Sequence, residues 1–232
     1  MKLRHSAILI TSLLLPAAYS QTGLGERAEA RVFLDEDNQL VYSGPLEEEA
    51  TAELFSLYDS AAVKPTMLVI SSAGGDVQLG LDIGEWVHGN KLDVKVDQGC
   101  ASSCANYIFT AGRNKYLHEH SVLVWHGGAL QAGLGEQSIR AGYGETWQEW
   151  QEREARFFAR IGVNPAITVY GQDKYTFLDY AWAFVRGRKI AGFDYSVDDM
   201  EKFGVSKVQL VDDEWNWREY NNSNVIRVSV EE

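Results

Sequence analysis

The chain has 232 residues, 33 acidic against 21 basic side chains, a formal charge of −12 and 45% hydrophobic residues. That length suits one sizeable domain able to bury its own core. The acidity argues against nucleic acid or an anionic membrane surface as a partner, and its plainest consequence is solubility.

Taken in order, the chain opens on targeting signals. Lys2, Arg4 and His5 form a basic start, residues 7–15 are apolar, Pro16 breaks the run, and Ala18-Tyr19-Ser20 supplies small residues for cleavage before Gln21. The apolar stretch is shorter than the ~20 residues a spanning helix needs, and no later segment reaches that length without charge. The expectation is a signal peptide over 1–20 and a single domain over 21–232. The mature protein would be exported, periplasmic or secreted, with no stable membrane insertion. No cysteine stands at the cleavage site, so a lipid anchor there has no support.

Residues 31–34 and 40–43 read as a hairpin around Asp35-Glu36-Asp37-Asn38. Residues 47–62 carry Leu54, Leu57, Tyr58 and Ala61 at helical spacing. After Pro65, residues 66–70 form a continuous apolar run, as in a strand buried on both faces, and Gly74-Gly75 ends it. Leu79, Leu81, Ile83 and Trp86 mark a helix closed by Gly89-Asn90. Leu92, Val94 and Val96 alternate with polar residues as a second strand. Cys100 to Cys104 makes a turn, and residues 105–111 form an apolar helix stopped by Gly112.

Residues 115–117 and 122–125 are two further strands, the second leading into His126-Gly127-Gly128. Strand alternating with helix is the rhythm of an α/β protein with a parallel sheet. Residues 127–144 are Gly-rich and read as a mobile stretch. Residues 145–161 form a helix with Trp147, Trp150, Phe157 and Phe158, and Asn164-Pro165 starts another helical piece to Tyr170. Ser196 caps a helix to Phe203, and residues 208–211 and 225–230 are late strands.

Both cysteines, Cys100 and Cys104, lie in one pentapeptide, and around a turn their Cα atoms can come within the ~7 Å a disulfide allows. So short a loop gives modest entropic stabilisation. The bridge would instead fix the turn that carries Ser102 and Ser103. Two cysteines without a second pair make a poor metal site, and neither metal nor cofactor is expected.

Three features converge on acyl-transfer chemistry. Gly74-Gly75 after a buried strand can present backbone N–H groups to an oxyanion. Ser102 and Ser103 place hydroxyls at a strand-to-helix turn. His126 ends a later strand and could act as base. Each has an ordinary structural reading as a turn, an N-cap pair and a core histidine. Their order along the chain is what raises the catalytic one.

Residues 69–77 (Val-Ile-Ser-Ser-Ala-Gly-Gly-Asp-Val) followed by Gly80 resemble the Gly-Gly segment of the Clp protease proteolytic subunit, a branch of the Clp-protease/crotonase superfamily. Residues 98–112 resemble its nucleophile turn and helix, and 122–126 its His-bearing strand. Residues 155–158 through 170–172 echo its handle helix more loosely, and 196–204 resemble the helix after its third triad member. The likeness runs from about 67 to 211.

The resemblance implies a spiral of βαβ units with a protruding handle helix, and a homo-oligomer built partly through that helix. It implies a Ser-His-Asp site with an oxyanion hole from Gly74, Gly75 and the residue after the nucleophile. Counting back from Gly112 by the family's helix length favours Ser103 as nucleophile, with Cys104 as second donor. The C-x-S-x-C pattern of exported relatives points to Ser102 instead. Where the family's third Asp is expected this chain reads Ile190-Ala191-Gly192-Phe193-Asp194, so Asp194 is the nearest candidate, with Asp173 and Asp179 as earlier ones.

The expected activity is ATP-independent cleavage of peptides or unfolded chains. The alternative is an inactive relative that binds peptides or partner proteins. An acyl-CoA enzyme of the crotonase branch ranks last, because the acidic chain shows no basic patch for the phosphates.

Overall fold

The computed structural model describes residues 29–231 except 141, 143, 222 and 223; the expected signal segment over 1–20 lies outside the described residues. The hairpin forms as read, β1 (Arg31–Leu34) antiparallel to β2 (Leu40–Ser43). Helix α1 (Glu48–Ser60) follows, with Glu48 and Glu49 in its first turn, where the helix dipole favours negative charge.

The apolar run becomes β3 (Met67–Ser72), and α2 (Val77–Gly89) is capped by Asp76, whose carboxylate accepts from the N–H groups of Gln78 and Leu79. Strand β4 (Asp93–Ala101) is the longest and most central. Its first half pairs with β5 (Lys115–Leu117) and its second half with β6 (Val122–Val124), both in parallel.

The Gly-rich stretch is not wholly loop: it contains α3 (Leu134–Arg140) before α4 (Gly144–Ile161). Two 3-10 turns, Pro165–Thr168 and Tyr170–Lys174, lead into α5 (Phe177–Val185), a helix the sequence patterning did not mark out. Strand β7 (Gly192–Asp194), helix α6 (Val197–Lys202) with Ser196 as its cap, β8 (Val208–Leu210) and β9 (Val225–Arg227) complete the order.

The main sheet runs β1-β2-β3-β4-β5-β8, with β6 added beside the far half of β4, and all pairings but the first are parallel. Strands β7 and β9 form a separate parallel pair. A register shift between Ile70 and Ser72 lets the end of β3 meet Cys100, which aims the Gly74-Gly75 turn at the turn that follows β4. This is a mixed α/β protein of the Clp-protease/crotonase type.

Beneath the sheet, α2 lies close to the helix after β4. A Cβ on Gly80 would stand 2.8 Å from Ser103 Cβ, so only glycine permits this approach. Phe157 and Phe158 of α4 are buried against Tyr107, and Trp150 packs on the same core. The aromatic residues of α4 are thus largely consumed inside the subunit. Trp217 is buried and Trp215 packs against the core, so both serve the final strands.

Candidate active site

Ser102 follows β4 with φ 58°, a left-handed conformation that costs a side-chain-bearing residue energy and marks a sharp turn. The turn is tied down on both sides. The Ser102 N–H donates to the Val124 carbonyl at 3.0 Å, and its carbonyl accepts from the Asn106 N–H at 2.8 Å. The Cys100–Cys104 disulfide, with a Cα separation of 5.3 Å, closes the same five residues. Ser102 is half-buried, while Ser103 is 2% exposed and donates its hydroxyl to the Gly75 carbonyl at 3.0 Å. One serine is partly exposed; the other is committed to the scaffold.

The helix that leaves this turn, Cys104–Phe109, is a π-helix. A π-helix closes i→i+5 bonds and so takes up one more residue than an α-helix over the same path. Counting back from Gly112 with α-helical spacing therefore does not by itself choose between Ser103 and Ser102.

Gly74 (φ 91°) and Gly75 (φ 152°) curl the β3–α2 turn against Ser102. A Cβ on Gly74 would lie 2.8 Å from Ser102 Cβ and 3.1 Å from the Ser103 nitrogen, so the glycine is required by both conformation and space. The Gly74 N–H is held by Ser72 Oγ at 3.1 Å. The Ser103 nitrogen lies beside the same glycine, and its N–H, at the start of a helix, has no intrahelical acceptor. The Cys104 N–H is the next in line; its residue is wholly buried.

His126 stands two residues beyond Val124, whose carbonyl binds the Ser102 N–H, so nucleophile turn and histidine sit at neighbouring strand ends. Part of the imidazole is open to solvent, yet the protein packed around the rest disfavours the cation and holds its pKa below the ordinary 6.5. Its backbone is well fixed. Gln172 Nε2 donates to the His126 carbonyl at 2.8 Å, and Asn106 Nδ2 donates to the Gly127 carbonyl at 2.8 Å. Among the described residues no hydrogen bond joins the His126 ring to either serine hydroxyl or to a carboxylate.

Asp194 is fully buried and engaged elsewhere. Its carboxylate accepts from Trp217 Nε1 at 3.0 Å and pairs with Arg218 at 2.6 Å and Arg227 at 2.9 Å. Gly192 lies against the His126 backbone: a Cβ there would lie 3.1 Å from His126 Cβ and would collide with the Trp125 carbonyl. Asp179 is tied to the α5 N-terminus through Thr176, and Asp173 is exposed in a 3-10 turn. Lys115 starts β5 beside Val94 at the opposite end of β4. There it donates to the Gly112 and Ser206 carbonyls, and burial pushes its pKa down to about 8.

Sequence reasoning missed the residue that ties the histidine loop to the nucleophile helix. Glu154 of α4 is 1% exposed, accepts from Tyr107 Oη at 2.6 Å and from the Ala129 N–H at 3.1 Å, and carries a pKa raised by burial. One glutamate in a helix rich in charge gave no signal. Beside this loop lies an open depression of about 400 Å³ lined by Ala129, Leu130, Ile139 and Trp147 together with Gln131, Glu136 and Gln151.

Among known protein families, Clp protease matches residues 28–148, slightly more than half of the chain. The matched stretch includes the Gly-Gly turn, both serines and His126, and ends before Gly192 and Asp194. The chain belongs to the Clp protease family.

Proposed function

We propose that this protein is an exported serine peptidase, independent of ATP, whose nucleophile is Ser102 and whose base is His126. The observation that carries the reading is the left-handed, half-exposed Ser102 at a strand-to-helix turn pressed against Gly74. Such a strained turn presents a hydroxyl forward with a backbone N–H behind it.

The steps follow from these atoms. Ser102 Oγ attacks a peptide carbonyl and its proton passes to the neutral His126 imidazole. The oxyanion is held by the Ser103 N–H and the Gly74-Gly75 turn. His126 then returns the proton to the leaving amine, and water, activated by the same imidazole, releases the acyl group. Without an acid to fix the His126 tautomer the site works as a dyad, and loss of that orienting role can cost ~10⁴ in rate. The substrate is a peptide or an unfolded chain, and the depression beside Ala129 takes one of its side chains. A homo-oligomer accords with the family.

A second reading has its own support. A His126 ring with no carboxylate bonded to it among the described residues also suits a relative that binds peptides without cutting them. Incubation with an unstructured polypeptide separates the two. Slow cleavage that Ser102→Ala and His126→Ala both abolish is the expected result. Intact substrate that still co-purifies with the wild type would establish the binding protein.

A further inference from the structure

Lys115 is 4% exposed, yet among the described residues no carboxylate pairs with it. A buried ammonium ordinarily has an ionic partner, because the protein interior solvates charge poorly. Its Nζ donates to the Gly112 carbonyl at 2.8 Å and the Ser206 carbonyl at 3.1 Å, which uses two of its three protons. The carboxylate in this neighbourhood, Asp93, is already taken. Arg113 holds it through Nε at 2.8 Å and Nη2 at 3.0 Å, and Asn114 donates to it from backbone and side chain. Burial and the nearby charge of Lys207 hold the Lys115 pKa down at about 8, and it remains cationic at pH 7.

These groups line an open pocket of about 260 Å³ at the end of β4 away from the serine turn. His88, Lys91, Arg113, Lys115 and Lys207 all form part of its wall, and no aspartate or glutamate does. In a chain of net charge −12 that concentration is unexpected, and separate segments between positions 88 and 207 assemble it only in the fold. Helix ends account for part of it. Helix α2, the π-helix, α4 and α6 finish beside the pocket, and each C-terminus carries roughly half a negative charge at most. The four together offset about two charges. Lys91, Lys115 and Lys207 supply three once Arg113 and Asp93 cancel.

The excess calls for an anion from outside the chain. The planar fork of Arg113, which would suit a carboxylate, is spent on Asp93 in that manner. What remains is a set of ammonium groups, point charges that bind phosphate oxygens. The volume lies below the ~300–1,000 Å³ of sites for drug-sized ligands, so the anion is small. We propose that this pocket is a phosphate-binding site in which buried Lys115 and exposed Lys91 and Lys207 contact the phosphoryl oxygens. The site stands apart from Ser102 and holds whether or not that serine is a nucleophile.

Isothermal titration calorimetry in a chloride buffer tests this with inorganic phosphate, glycerol 3-phosphate and acetate. Saturable binding of phosphate or of its ester, without binding of acetate, is the expected result. Whichever of the two binds tighter identifies the ligand as free or esterified phosphate. Lys115→Met should abolish binding. Lys207→Gln, at an exposed position where the fold stays intact, should weaken it about tenfold. Ser102→Ala should bind phosphate like the wild type, which keeps this outcome separate from the peptidase reading. No saturable binding of either phosphate compound, equal binding of acetate, or undiminished binding by both lysine variants would overturn the proposal. In those cases the lysines serve only the helix ends.

Discussion

Ser102 and Ser103 are adjacent and chemically identical, yet their surroundings give them different work. Ser103 Oγ is spent on the Gly75 carbonyl and its Cβ supports Gly80, so Ser103→Ala should cost packing before it costs chemistry. Ser102 carries the turn's left-handed conformation and is partly exposed. In the proposed mechanism His126 sets the pH behaviour. Because its pKa lies below 6.5, the neutral form that accepts a proton persists into mildly acidic solution. The half-point of the acid limb of peptide hydrolysis should therefore lie below pH 6.5; a rate already halved at pH 7 would contradict this. These residues could be named from sequence because Gly-Gly, Ser-Ser and His are rare in that order. The π-helical winding that bears on the count back from Gly112 leaves no mark in a run such as Cys-Ala-Asn-Tyr-Ile-Phe.

At the scale of elements, β7 and β9 form a two-stranded clip closed by Asp194. Beyond its bonds to Trp217, Arg218 and Arg227, the β7 backbone pairs with Trp125 through Phe193, so the clip braces the strand end that carries His126. Asp194→Asn leaves a buried polar group facing two arginines without their counter-charge and should lower unfolding stability by about 3 kcal/mol. The folded fraction should keep its rate. Urea unfolding together with hydrolysis per folded molecule checks this, and a loss of rate at unchanged stability would make Asp194 the triad acid after all. Strands and amphipathic helices were readable because their apolar periodicity is local. Helix α5 was not: its apolar residues run nearly all round, without the one-sided stripe a packed helix shows. The ion pairs of Asp194 were equally hidden, because they join residues 24 and 33 positions apart.

Across the whole molecule, the parallel sheet delivers three strand ends to one place: β3 with the glycines, β4 with the serine and β6 with the histidine. That convergence is the property of the fold, and it explains why motifs some fifty residues apart could be read as one site. The central claim, an activated Ser102, is tested most directly by a fluorophosphonate, which phosphonylates only a serine whose proton a neighbouring base can remove. The modified residue is then located by mass spectrometry of the digested protein. A single adduct on Ser102, absent in His126→Ala and retained in Ser103→Ala, is the expected result. An adduct on Ser103, or none on the folded wild type, would contradict it.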